Sequence, residues 1–290
     1  MLRRFLTASL LFLFASPLRA FSPGPAHTRV ELLSESTSLS PGATVWLAIR
    51  FQMDKDWHIY WKNPGDAGMP PSVDWKLPPG LTVGPLEWPA PEKIVQTPLV
   101  SYGYLNEATL LAPVTVAPNA PTGRAVTIAA HIHWLECEKL CVPADGDVSL
   151  VRPVTGGAPE PDPQTAPAFA AARARVPLAD AGWRFVARAA KDVVHLVATP
   201  PEGAPRIRDA WFFSEDRGVF DNAAPQKWRS SGDHYELDLQ RTDISTGPIT
   251  MVRGMLVSDA GWRGPDSERA LDVQAPVQDA PASNSGGTLP

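Results

Sequence analysis

Proline occupies 32 of the 290 positions, and that density decides what the chain can be. Each proline fixes φ, withholds a backbone donor and breaks a helix interior, so a chain this rich in proline must be rich in edges, turns and linkers. What remains is a fold of short strands, exposed edges, turns and linkers. An apolar share of 44% supplies ordinary cores, which excludes a wholly disordered chain. The length suits one or two domains.

The strand signals fall into two blocks. From about Thr28 to Val154 the chain reads as all-β. Val45 to Phe51 follows the turn pair Pro41-Gly42, Trp57 to Trp61 is stopped by Asn63-Pro64-Gly65-Asp66, and Leu110–Val116, Ala125–Leu135 and Val148–Val151 complete the set. Short alternating runs between regular turn signals predict a β-sandwich. Residues 155–179 change character, with Gly156, Gly157 and several prolines around an alanine-rich stretch from Ala168 to Val176. This reads as a linker carrying one short helix. A second alternating block, residues 180–273, predicts a second sandwich from runs such as Trp183–Ala187, Val193–Val197, His234–Leu239 and Ile249–Val257. Residues 274–290 are polar and small, the composition of a disordered tail.

The first twenty residues have the composition of an export signal. Arg3 and Arg4 precede the apolar run Phe5–Phe14, and Ser16, Pro17 and Ala20 mark a small-residue cleavage region. The run is about half the ~20 residues needed to cross a bilayer, so cleavage near Ala20 and a protein without stable membrane insertion are expected. The formal charge of −5 includes Arg3, Arg4 and Arg19; losing those three positive charges leaves −8. An acidic balance of that size disfavours nucleic acid and anionic lipid as partners.

Only two cysteines occur, Cys137 and Cys141, in a chain bound for an oxidising compartment. In one continuous strand they would stand about 13 Å apart at ~3.3 Å per residue, whereas a disulfide needs Cα atoms within roughly 7 Å. Bonding them requires a turn through Glu138-Lys139-Leu140. Closing so small a ring removes little chain entropy, less than the ~3 kcal/mol of a 15-residue loop, so a redox pair explains the spacing better than a staple does. The neighbouring charges are mixed, with His133 and Lys139 favouring a thiolate and Glu136 and Glu138 opposing it.

The stretch from Trp57 to Val154 resembles the N-terminal periplasmic domain of the thiol:disulfide interchange protein DsbD family, in its ScsB-like subgroup. The resemblance rests on Trp57-His58-Ile59-Tyr60-Trp61-Lys62-Asn63-Pro64-Gly65-Asp66, Trp88-Pro89-Ala90-Pro91, Tyr102-Gly103-Tyr104, and Trp134-Leu135-Glu136-Cys137 through Cys141-Val142-Pro143. Phe212-Phe213 and Asp221 to Gln226 resemble the companion domain of that subgroup. The resemblance implies a periplasmic protein, an immunoglobulin-like first domain (residues 21–154) and dithiol–disulfide exchange without a bound cofactor. It implies that Cys141 forms the mixed disulfide and Cys137 resolves it. It further implies a cap loop over the sulfurs. Val100, Ser101, Tyr102 and Tyr104 are its expected counterpart, with Tyr102 as the covering ring and Trp57, His58, Tyr60 and Trp134 in support. The implied partners are a periplasmic thioredoxin-fold oxidoreductase and a separate membrane electron donor, since no counterpart of the family's membrane helices or thioredoxin-like domain is seen. The family's best-known members place five residues between the cysteines; this sequence places three, as the ScsB-like subgroup does.

Other readings compete. His131 and His133 share a strand face and, with Cys137 and Cys141, make a possible His₂Cys₂ set for zinc or copper. Ten tryptophans allow a glycan-stacking module through Trp57 and Trp61. A binding module with an inert disulfide is the third alternative.

Overall fold

A computed structural model describes residues 26–179 and 181–278; the export-signal reading of residues 1–20 lies outside them. The first domain contains β1 (Thr28–Ser34), β2 (Thr44–Met53), β3 (His58–Gly65), β4 (Ser72–Lys76), β5 (Leu81–Val83), β6 (Glu92–Gln96), β7 (Leu99–Leu105), β8 (Glu107–Val116), β9 (Arg124–Cys137) and β10 (Cys141–Val154). One sheet runs β1-β2-β8-β5, and the other β10-β9-β3-β7-β6 with β4 added beside β9. Period-two alternation decides what each strand buries. Leu47, Ile49 and Phe51 of β2 and Ile128, Ala130 and Ile132 of β9 meet in the core between the sheets. Ala48 and Leu111 face outward, where the helix α1 (Ala166–Arg173) covers them with Phe169 and Ala172. The linker helix is thus packed on the first domain, its Pro167 seated in the first turn where no donor is needed.

The second domain contains β11 (Arg184–Ala189), β12 (Val193–Thr199), β13 (Trp211–Ser214), β14 (Arg229–Ser231), β15 (His234–Gln240), β16 (Met251–Val257) and β17 (Ala270–Gln278). Its strands connect as β13-β16-β17-β11-β12-β15-β14. β17 turns the corner of this second sandwich: residues 270–276 pair with β16, then Val277 and Gln278 pair in parallel with β11.

Several sequence boundaries move. β3 runs through Asn63 and Pro64 to Gly65, past the stop expected there. The last strand continues past Val273 to Gln278 because Ala275 is fully buried and both neighbouring strands accept the segment, so residues 274–278 are not tail. β10 begins at Cys141 rather than Val148, since fourteen residues of β9 and β10 pair in one register. Asp145-Gly146-Asp147, which looks like a turn, is strand, and Gly146 lies beneath the Trp134 ring.

The domains are joined through side chains. Phe213 of β13 packs among the first domain's core residues, edge-on to Tyr102 at 4.9 Å and to Trp61 at 6.4 Å between centroids. Lys93 lies 3.9 Å over the Trp211 ring, Lys62 pairs with Glu215, and Asn63 donates to the Ser214 carbonyl at 2.8 Å. Phe213→Ala should therefore cost about 3 kcal/mol by leaving a cavity between the domains. Denaturant unfolding monitored by tryptophan fluorescence checks this; a loss under ~1 kcal/mol would mean the ring does not join the domains.

Candidate redox site

The cysteines stand where β9 turns into β10. Cys137 ends one strand, Cys141 starts the next, and they are cross-strand neighbours with Cα atoms 4.2 Å apart and an S–S bond of 2.06 Å. The turn through Glu138-Lys139-Leu140 that the spacing demanded is the hairpin itself. Cys137 is buried at 1% exposure, whereas Cys141 is an exposed residue. A reagent in solution therefore meets the two ends of the bond unequally.

The other side of the bond is closed by Tyr60. Its hydroxyl lies 2.9 Å from Cys137 Sγ and 3.3 Å from Cys141 Sγ. Disulfide sulfurs can only accept, so the phenol donates its one proton, principally to Cys137. Burial pushes the Tyr60 phenol above its ordinary value of 10.0, which keeps it a neutral donor. His58 is the register partner of Cys137 on β3 and sits edge-on to Tyr60, with centroids 5.3 Å apart. Its ring is buried, Nε2 has no hydrogen-bond partner among the described residues, and burial lowers its pKa below 6.5. The imidazole is neutral at neutral pH.

The expected cap residues are placed differently. Along β3 and β7 the side chains alternate, and Gly103 is opposite Tyr60 while Tyr104 is opposite Ile59. Tyr102 and Tyr104 thus point to the core face, away from the face that carries Tyr60, His58 and Cys137. Tyr102 meets Trp61 and Phe213, and Tyr104 donates to the Pro89 carbonyl. The ring over the sulfurs is Tyr60, expected only in support. Above Tyr60 lies the loop from Asp66 to Pro71. Gly68 rests on the phenol so closely that a Cβ there would fall 2.2 Å from Cε1 of the ring, and its φ of +108° also favours glycine. Val100 and Ser101 act on this loop: the Val100 amide donates to the Asp66 carboxylate at 2.7 Å, and the Ser101 hydroxyl donates to the Ala67 carbonyl.

Trp134 and Trp57 belong to the scaffold. Trp134 Nε1 donates to Glu136, whose other oxygen accepts from the His27 amide; Trp57 stacks on the His27 ring. Glu136, buried at 1% exposure, thus has both oxygens engaged, one within β9 and one tying the hairpin to His27 just before β1. Gln96, unremarked in the sequence, ties the β6–β7 hairpin to the cysteine loop by donating to the Glu138 carbonyl at 2.8 Å.

The alternative sites are not assembled. His131 pairs with Asp147 and Asp145, and His133 with Asp74, on the outer face of β9. Three residues of extended strand separate His133 from Cys137, and both sulfurs are spent in the disulfide. Among the described residues no group of three or more His, Cys, Asp and Glu is arranged to hold a metal ion. Trp61 is fully buried, so it cannot share a glycan platform with Trp57.

Fold and site define a double β-sandwich protein with one hairpin-mouth disulfide held under a phenol. Residues 29–153 match the family model described as "Thiol:disulfide interchange protein DsbD, N-terminal", and the first domain belongs to that family. Among solved structures, the N-terminal periplasmic domain of ScsB from Proteus mirabilis has a TM-score of 0.58 at 16% identity, covering 86% of this chain and 92% of that one. The likeness extends over both domains and establishes a shared fold. The pilin subunit BcpA* of Bacillus cereus (TM-score 0.29, 11% identity, 87% and 68% covered) and Spo0M of Bacillus subtilis (0.22, 13%, 87% and 91%) are far more distant. No curated protein matches the chain. Among the described residues no helix is long and apolar enough to cross a membrane.

The buried His58 gives the site a pH signature. Its folded pKa lies below 6.5, so between the two values the unfolded chain binds more protons and stability falls as pH drops below about 6.5. His58→Leu should flatten that decline between about pH 7 and pH 5, the other titrating groups cancelling in the comparison. Denaturant midpoints across the range check this; parallel curves for the two proteins would contradict it.

Proposed function

We propose that the chain is a periplasmic thiol:disulfide interchange protein that passes electrons through Cys137 and Cys141 to or from a thioredoxin-fold oxidoreductase. The observation that carries this reading is the asymmetry of the bond: Cys141 exposed, Cys137 buried beneath a phenol that donates to it. A partner thiolate attacks Cys141 Sγ in line with the S–S bond, and Cys137 leaves as a thiolate that accepts the Tyr60 proton in a charge-assisted hydrogen bond. A second partner thiolate then attacks the partner's own sulfur in the mixed disulfide, and Cys141 departs. Two electrons and two protons have moved, leaving a dithiol here and a disulfide on the partner. Run in reverse, Cys141 attacks the partner disulfide and Cys137 resolves the intermediate.

Exchange of this kind needs a docked protein. Leu140, between the cysteines, is 79% exposed, and Val95 at the tip of the β6–β7 hairpin is 61% exposed. The Gln96–Glu138 hydrogen bond brings that hairpin to the cysteine loop. These exposed apolar side chains near the cysteine loop would be covered by a docked protein. A separate membrane donor would return the electrons, and no bound cofactor enters the exchange.

Cys137→Ser should accumulate a mixed disulfide with a thioredoxin-fold protein in envelope extracts, read on non-reducing gels and identified by mass spectrometry. Cys141→Ser should accumulate none. Trapping that requires Cys137 would reverse the two roles, and no adduct from either variant would count against the function.

A further inference from the structure

The second domain reaches into the redox site. The turn Asn63-Pro64-Gly65-Asp66 ends β3 just beyond Tyr60 and begins the loop that lies on the phenol. Asn63, 2% exposed, accepts from the Gly65 amide through Oδ1 and donates through Nδ2 to the Ser214 and Asp216 carbonyls of the second domain. Asp66 divides its carboxylate: Oδ2 accepts from the Val100 amide, and Oδ1 accepts from Asn222 Nδ2 at 2.7 Å. Asn222 is 7% exposed and belongs to the second domain. Gly65 packs so tightly on the Val100 carbonyl that a Cβ would fall 2.5 Å from it. The chain between the two anchors therefore has little freedom, and Gly68 sits two residues beyond Asp66, on the Tyr60 ring.

A hydrogen-bond donor aimed at a developing thiolate is effective when it is held in place before the reaction, because no reorganisation is then needed. Cys141 is an exposed residue, and the loop above Tyr60 acts on the direction of the phenol O–H. We propose that the second domain is a positioning element for the redox pair, acting through Asn222 and Asn63 on the Asp66–Gly68 turn and through that turn on Tyr60. Resting on the exchange reading above, this assigns the second domain a task within it. Asn222 is a positioning residue, since it touches neither sulfur.

The test is the rate at which a small dithiol opens the disulfide of the full chain at fixed pH, followed by thiol labelling. Tyr60→Phe should slow opening on the order of tenfold by removing a hydrogen bond to a developing charge. Asn222→Ala should slow it about threefold, the effect of one net hydrogen bond, with the thermal midpoint little changed. Asn222→Asp, which sets a carboxylate against Asp66, should slow it further. In the Tyr60→Phe background Asn222→Ala should have no additional effect, because it acts through the missing hydroxyl. Should the Asn222 variants lose stability, Glu215→Gln removes only the Lys62 ion pair and should slow opening in the same direction to a smaller extent. Rates equal to wild type in the Asn222 and Glu215 variants would overturn the proposal, as would a full Asn222 effect persisting in Tyr60→Phe. These rates need no protein partner, so failure of partner trapping and failure of the positioning role are separately visible.

Discussion

The Tyr60 hydroxyl on the Cys137–Cys141 bond is the contact around which the first domain is arranged. A phenol has one proton, and it lies within reach of both sulfurs. For it to stay there, the ring must be buried, the backbone above it must come within van der Waals contact, and the sulfurs must be held at a fixed point on the neighbouring strand. Each requirement has a visible cause. Gly68 gives the close approach that any side chain would forbid. The paired β9–β10 hairpin fixes the sulfurs at its mouth. Glu136, buried and engaged by Trp134, ties that hairpin to His27 just before the first strand.

The polarity of the site follows from the same burial. His58 and Tyr60 are both held neutral, one with its pKa lowered and the other with its pKa raised by loss of solvent. No formal cation faces Cys137 across the strand pair; its register partner is this neutral imidazole. A thiolate formed at Cys137 is thus served by an O–H dipole rather than by a charge. Such a donor contributes most where water is excluded, and its contribution depends on orientation. That dependence gives physical meaning to the inter-domain contacts: Phe213 fills the seam, and the polar contacts of Asn63, Asp66 and Asn222 hold the chain that covers the phenol.

Much of this was legible in the sequence, for identifiable reasons. The prolines and the period-two runs declared two β-sandwiches, and the spacing of the cysteines required a turn between them. The resemblance joined motifs as distant as Asn63–Asp66 and Asp221–Gln226, which meet in the Asp66–Asn222 hydrogen bond. The choice of aromatic was not legible. Tyr102 and Tyr60 are equally good phenols in the sequence, and only the pairing of β3 with β7 sends one to the core and the other to the sulfurs. The extent of β10 was hidden because Asp145-Gly146-Asp147 has turn composition; its strand form depends on fourteen cross-strand pairs that no local window contains. Gly68 and Gln96 carried no signal, since a close approach and a hairpin contact are tertiary facts.

In the proposed exchange the bond opens at one end, with attack at Cys141 and departure of Cys137 beneath Tyr60. Brief reaction of the oxidised wild-type chain with glutathione, rapid acid quenching, alkylation and peptide mapping measures this directly. Glutathione is expected on Cys141 and the alkyl label on Cys137. Glutathione found on Cys137, or divided evenly between the two, would contradict it.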